Sequence, residues 1–279
     1  MKSGTVEDLE IRLLLEGIQH VYGYDFREYA KSSIKRRLAH WLTKSEFDTF
    51  SEAQSQLLRD RRLFESLLRG ITVNVTEMFR DPAFFKVVRE QVVPFLKTYP
   101  FVKIWHAGCS TGEEAYSMAI LLNEEGMEGR YRVYATDINE AVLHTAEEGV
   151  MPLAEMQRFT RNYQQSGGTA SFANYYVARY DRAILSPSLK KDIVFSSHNL
   201  ATDAAFGEMN IVLCRNVMIY FKPSLKERCL QLFDDSLLAS GFLCLGLKET
   251  LERKSTTYME LAPHMRIYQK SYVTQAGMK

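Results

Sequence analysis

Apolar positions recur at helical spacing through the first part of the chain and gather into strand-like runs after it, so the pattern divides near residue 70. Leu9, Leu13, Ile18 and Val21 read as one amphipathic helix, Tyr29, Ile34, Leu38 and Trp41 as a second, and Leu57, Leu63, Leu67 and Leu68 as a third. Gly23 and Thr43-Lys44-Ser45 separate them. With no strand pattern, repeat or low-complexity tract, residues 1–70 are expected to form a small all-α N-terminal domain. Beyond Arg69-Gly70-Ile71-Thr72 the pattern alternates. Strands are predicted over 101–105, 130–136, 191–197, 210–214, 241–246 and 265–272. Helices are predicted over 111–125, 139–148 and 223–239, the last opened by Pro223. Such alternation implies an α/β fold over 71–279, a doubly wound, Rossmann-like and largely parallel sheet with helices on both faces. The alternation lapses over 163–188, where the turn Gln164-Gln-Ser-Gly-Gly168 precedes the strand-like Tyr175–Tyr180. A small antiparallel β insert is expected there.

The first predicted strand runs through Ala107-Gly-Cys-Ser-Thr-Gly-Glu-Glu114 directly into a helix. Gly108 and Gly112 allow a sharp turn and close approach of a ligand, at the corner where a doubly wound sheet binds one. A P-loop would need GxxxxGK[ST] and a dinucleotide fingerprint GxGxxG, and this loop has neither. Glu113 and Glu114 at the helix start would repel a pyrophosphate. A cationic cofactor without phosphate at this corner fits better, and S-adenosylmethionine is the obvious one. The second strand ends at Asp137, whose carboxylate can accept hydrogen bonds from both ribose hydroxyls. Alone, Asp137 is about equally well read as the cap of the helix beginning near Asn139.

Composition adds limits. The 279 residues are 46% hydrophobic and 25% charged, as in an ordinary two-domain globular protein. The net charge of +1 gives no overall pull toward nucleic acid or membrane, and no run is long and apolar enough for a spanning helix. Cys109, Cys214, Cys229 and Cys244 lack zinc or CxxC spacing and read as buried, reduced thiols, so no metal site and a cytoplasmic location are expected. Charge is uneven locally: residues 27–44 carry Arg27, Lys31, Lys35, Arg36, Arg37 and Lys44 against Glu28 alone, an excess of +5. This is either a solvated face or a docking surface. Without a nucleic-acid motif, an acidic protein partner is preferred over DNA or RNA.

Five motifs in order carry a resemblance. Thr76-Glu-Met-Phe-Arg80 with Asp81-Pro and Phe84-Phe85, Ala107–Glu114, Ala135-Thr-Asp137-Ile, His198-Asn-Leu200, and Cys214-Arg-Asn-Val-Met-Ile-Tyr-Phe221 together resemble the chemotaxis-receptor glutamate O-methyltransferases of CheR type. The likeness runs from about residue 10 to residue 270. Met78 stands where an aromatic is usual, and Met209-Asn210 where an acidic residue often precedes the fourth strand. The resemblance implies S-adenosylmethionine as methyl donor, with S-adenosylhomocysteine as product. It implies as substrate the γ-carboxylate of glutamates on the cytoplasmic methylation helices of chemoreceptors. A monomeric enzyme recruited to membrane-bound receptors is then expected, itself neither inserted in the membrane nor bound to nucleic acid.

The resemblance also implies site roles, residue by residue, where the chain matches the family. Asn74, Thr76 and Arg80 fall at the methionine end and sulfonium of the cofactor. Gly108 and Glu113 fall in its loop, and Asp137 at the ribose. Asn199 and Leu200 fall beside the adenine. Arg215, Asn216 and Tyr220 close the pocket near the methyl group and the incoming glutamate, with Arg80, Arg215 and Tyr220 the catalytic candidates. Lys31, Lys35, Arg36 and Arg37 become a receptor-docking face; in the family the β insert can bind a tethering peptide at a receptor C-terminus, and the sequence alone does not decide whether this insert does. The chemistry agrees. A glutamate side chain of pKa ~4.3 is already a nucleophilic carboxylate at neutral pH and needs no general base. Positioning and desolvation then carry the rate, on the order of 7–11 kcal/mol. A cofactor-binding scaffold or sensor without turnover is the alternative.

Overall fold

The computed structural model describes residues 5–72, 76–251 and 257–271. The chain forms two compact units. The first comprises 1–73 together with 199–203 and 220–229, and the second the remainder. The expected division near residue 70 is therefore only the first of several crossings. Two later segments, which no composition change marks, also belong to the first unit.

The first unit is built on helices α1 (Val6–Tyr22), α2 (Lys31–Leu42), α3 (Phe50–Leu57) and α4 (Arg61–Ile71). Three starts are capped by side chains: Thr5 accepts from the Asp8 amide, Thr49 from Glu52, and Asp60 from Arg62 and Leu63. Leu14, Ile18, Phe26, Leu38, Leu57, Phe64 and Leu67 form the core. The face expected for α1 needs correction. Ile11, Leu14, Leu15 and Ile18 are buried, while Leu9, Leu13 and Val21 are exposed. The run Ile11-Arg-Leu-Leu-Leu15 puts apolar groups around much of the helix, so packing partners rather than periodicity choose the buried side. In the same unit Phe221 meets Tyr29 edge-on, with ring centroids 4.9 Å apart. The Ala30 amide donates to the Tyr220 carbonyl at 2.8 Å and the Lys222 amide to the Glu28 carbonyl at 2.8 Å.

The second unit opens with α5 (Pro82–Val87), a π-helical turn (Val88–Val92) and α6 (Val93–Leu96). Then follow β1 (Val102–Ala107), α7 (Glu113–Glu124), β2 (Tyr131–Asp137), α8 (Glu140–Glu148), β3 (Val150–Pro152) and α9 (Met156–Gln165). Next come β4 (Tyr176–Arg179), β5 (Arg182–Leu185), α10 (Pro187–Lys190), β6 (Ile193–Ser197) and β7 (Met209–Cys214). Helix α11 (Pro223–Ser236) begins in the first unit and enters the second. It is followed by β8 (Leu237–Leu245), β9 (Tyr258–Ala262) and β10 (Ile267–Lys270).

Among the described residues seven strands form one sheet in the order β6-β2-β1-β7-β8-β10-β9. The pairs from β6 to β8 are parallel, and β10 runs antiparallel to both β8 and β9. All six residues of β7 are buried, as a central parallel strand covered on both faces requires. This Rossmann-like architecture matches the α/β expectation. β9 is absent from the sequence reading, because Tyr-Met-Glu-Leu-Ala alternates too weakly to stand out and is defined by pairing with β10. The small sheet is antiparallel in the order β3-β5-β4. It recruits β3 from before α9, outside the span 163–188.

Candidate functional site

β1 ends where β2 ends, and the glycine loop is tied across that boundary. The Gly108 and Cys109 amides both donate to the Thr136 carbonyl at 2.8 Å. Gly108 has φ 79° and Gly112 φ 89°, and a Cβ on Gly108 would lie 2.5 Å from Val217 Cγ2, so a side chain is excluded there. The Ser110 amide donates to Asp137 Oδ2 at 2.9 Å and the Asn139 amide to Oδ1 at 3.0 Å. Burial pushes the Asp137 carboxyl above the ordinary range, against these backbone donors. Capping of α8 falls to Asn139, whose Oδ1 accepts from the Ala141 amide at 3.0 Å. Asp137 does not cap that helix with its side chain; it binds the loop and keeps further acceptor capacity.

Glu113 accepts the Thr111 hydroxyl on both oxygens, at 2.9 and 2.7 Å, and burial raises its pKa. Four residues on, the buried Ser117 hydroxyl donates to the Glu113 carbonyl at 2.7 Å and accepts from the Phe79 amide at 2.8 Å. Phe79 (φ 51°) and Asp81 (φ 57°) are both left-handed, an unusual conformation for residues with side chains, and they flank Arg80. Arg80 is thus presented from a strained turn held by α7. Thr76 lies at the head of that turn, and Asn74 lies outside the described residues.

Arg215 departs from its expected role. Its guanidinium, 1% exposed, contacts Asp81 Oδ2 at 2.7 Å and Glu114 Oε2 at 2.6 Å, and donates to the Arg80 carbonyl at 3.3 Å. It also stacks 4.0 Å from the centroid of Phe84. With both carboxylates and a ring around it, Arg215 holds the Arg80 turn from within; its charge is committed to these groups rather than offered to a ligand carboxylate. Glu114 completes the cluster through His106 Nδ1 at 3.1 Å. Burial pushes Glu114 up, but the Arg215 charge and the His106 contact prevail and hold it at about 2. Asn216, with φ 62°, follows immediately.

In the first unit, the Asn199 side chain accepts from the Ala201 amide at 3.0 Å, and the carbonyl of the neighbouring Leu200 faces the Cys229 thiol at 3.9 Å. The Tyr220 ring lies under the Arg37 guanidinium, 4.7 Å from its centroid. The basic face of α2 is partly neutralised at home. Lys31 pairs with Asp8 at 3.1 Å, and Lys35 with both Asp8 and Glu7 at 3.0 Å. Arg36 is exposed and has no acidic partner among the described residues. All four cysteines are buried and outside any disulfide, and no metal-binding cluster occurs among the described residues. No helix among them is long and apolar enough to cross a membrane.

Comparison with known proteins decides the family. The family described as CheR methyltransferase, SAM binding domain, matches residues 74–267. The companion CheR methyltransferase, all-alpha domain, matches residues 9–72. This chain belongs to the CheR methyltransferase family. A Pseudomonas putida protein named Cher3 is 47% identical over 97% of this chain and 100% of its own length. A chemotaxis protein methyltransferase of Listeria innocua is 31% identical, covering 82% of this chain and 85% of its own. One from Vibrio anguillarum is 27% identical over 90% and 92%.

The cofactor of this CheR protein is S-adenosylmethionine, and the site suits it. The glycine loop admits close backbone approach, and Glu113 at the start of α7 favours a cationic ligand over a phosphate. Ser110 Oγ is buried in the loop without a hydrogen-bond partner. Ser117, His106 and Glu249 carry no local sequence signal of a role, and nothing local gives Glu114 a partner. Their roles depend largely on contacts distant along the chain, such as Ser117 with Phe79, 38 residues away, and Arg215 with Glu114, 101 away.

Proposed function

We propose that this CheR methyltransferase esterifies the γ-carboxylate of glutamates on the cytoplasmic helices of chemoreceptors. The observation that supports the reading is the Gly108–Asp137 corner, where a glycine that excludes any side chain admits close backbone approach and the Asp137 carboxylate keeps acceptor capacity for ribose hydroxyls. S-adenosylmethionine supplies a methyl group made electrophilic by the sulfonium. Transfer of that methyl to a glutamate oxygen would break the carbon–sulfur bond and leave S-adenosylhomocysteine.

The chain's own groups bind and orient. Asp137 receives the ribose hydroxyls, Glu113 and Gly108 line the loop, and Asn199 with Leu200 flanks the adenine. Thr76, Arg80 and, outside the described residues, Asn74 serve the methionine end. Tyr220 and Asn216 border the reacting methyl, and Arg215 positions Arg80 through Asp81 and the Arg80 carbonyl. The incoming carboxylate needs no base at neutral pH, since its ordinary pKa is ~4.3. Arg36 and Arg37 on α2 serve acidic receptor helices by charge complementarity. The β3-β5-β4 sheet is proposed to hold a receptor C-terminal peptide.

Isothermal titration with S-adenosylmethionine and S-adenosylhomocysteine tests the cofactor assignment, beside Asp137→Ala as control. Binding by the intact protein that the variant loses supports it, and equal binding by both removes Asp137 from the site. Binding with no methyl transfer to receptor fragments supports a scaffold instead.

A further inference from the structure

Glu249 lies in none of the five motifs, yet it is 5% exposed and accepts four backbone N–H groups. Its Oε1 takes the Val217 amide at 3.0 Å and the Ile219 amide at 3.2 Å. Its Oε2 takes the Asn216 amide at 2.9 Å and the Gly246 amide at 2.7 Å. It makes no salt bridge among the described residues, so these oriented amides are what offsets the buried negative charge. Burial raises its pKa and the amides draw it back down.

The segment gathered this way is the one that follows β7. Asn216 is left-handed at φ 62°, a conformation that persists only where its surroundings enforce it. Val217 then packs on Gly108, where an added Cβ would be 2.5 Å from Val217 Cγ2. Gly246 completes the clasp: a Cβ there would meet Glu249 Oε2 at 2.6 Å and the Asn216 amide nitrogen at 2.7 Å. Only glycine lets the end of β8 approach so closely.

We infer that Glu249 is a positioning residue for methyl transfer, clasping the backbone of 216–219 so that Val217 is set against Gly108 of the cofactor loop. The inference rests on reading that loop as the cofactor cradle. Glu249 touches no reacting atom in this scheme; it acts through the loop.

Glu249→Gln keeps the size but turns an amide NH2 toward two of the four donors. S-adenosylhomocysteine affinity of this variant, measured by titration at a temperature where circular dichroism finds it folded, should fall on the order of tenfold. Leu14→Ala, in the core of the first unit, serves as a control for general destabilisation and should keep the affinity of the parent. Affinity of Glu249→Gln within about twofold of the parent overturns the inference. Should Glu249→Gln fail to fold, amide hydrogen exchange in the parent protein decides. Slow exchange at Val217 and Ile219 supports the clasp, and exchange at the rate of an open loop overturns it. A parent that binds no S-adenosylhomocysteine would instead contradict the cradle, while the exchange rates still report on Glu249.

Discussion

The guanidinium of Arg37 covers the ring of Tyr220 at 4.7 Å while its Nη1 donates to the Ile71 carbonyl at 3.1 Å. One side chain thus joins α2, the end of α4 and the segment after β7. A planar fork can stack on a ring and hydrogen-bond in its own plane at once, and an ammonium cannot.

This arrangement separates two roles for Arg37. If it acts through Tyr220, Arg37→Lys should lose activity as Arg37→Ala does, with kcat falling about 2- to 30-fold, the span of a cation–π contact. S-adenosylhomocysteine affinity should hold. If it acts only as a docking charge, lysine should restore KM for receptor fragments. Steady-state kinetics of the two variants decides.

The ion pairs of α2 lead to a prediction about docking. Lys31 and Lys35 already face Asp8 and Glu7, whereas Arg36 has no such partner among the described residues. Arg36→Glu should therefore raise KM for receptor fragments more than Lys31→Ala with Lys35→Ala does, leaving cofactor affinity unchanged. Equal effects would mean that total charge rather than these positions governs docking.

Removing Arg215 leaves the partly buried Asp81 and Glu114 without their cation. Arg215→Leu should lower stability by about 1–3 kcal/mol, less than for a fully buried pair because Asp81 and Glu114 keep some access to water, read as a reduced midpoint in denaturant. The companion change Glu114→Gln, which leaves Asp81 on the arginine, should cost less. If Arg215→Leu unfolds like the parent, the cluster is not holding the Arg80 turn.

The same cluster shapes acid stability. Glu114 titrates at about 2 when folded against an ordinary 4.5, so its contribution is complete above 4.5 and is lost as pH falls toward 2. Glu113, Asp137 and Glu249 are shifted upward, and they act in the opposite sense: the folded state binds their protons more readily, so stability falls as pH rises from the ordinary carboxylate range through their raised values. Between 4.5 and 2 the parent should therefore lose stability more steeply than Glu114→Gln. Denaturant midpoints across that range measure it, and parallel slopes would contradict the assignment.

Much of the fold was legible because burial imposes period. The apolar runs at β1, β2 and β7 and the glycine loop needed only local pattern, and Asp137 followed from its place at a strand end. The face of α1 was misread because Ile11–Leu15 is apolar on several sides and only its neighbours select Leu14 and Leu15 over Leu13. Arg215 was expected to face a ligand, and it turns inward because Asp81 and Glu114, 134 and 101 residues away, converge on it. Glu249 carried no local signal at all. Its partners are backbone amides 30 to 33 residues earlier, and Gly246, which would otherwise read as the end of a strand.

Methyl esterification of receptor carboxylates would leave a base-labile label. Methyl-labelled S-adenosylmethionine is incubated with the protein and a chemoreceptor cytoplasmic fragment, and the fragment is then treated with alkali. A carboxylate ester should release its label as volatile methanol, and Glu→Gln changes at the acceptor sites should abolish the release. Label that stays on the fragment through alkali, or that never reaches it while cofactor binds, would contradict the account.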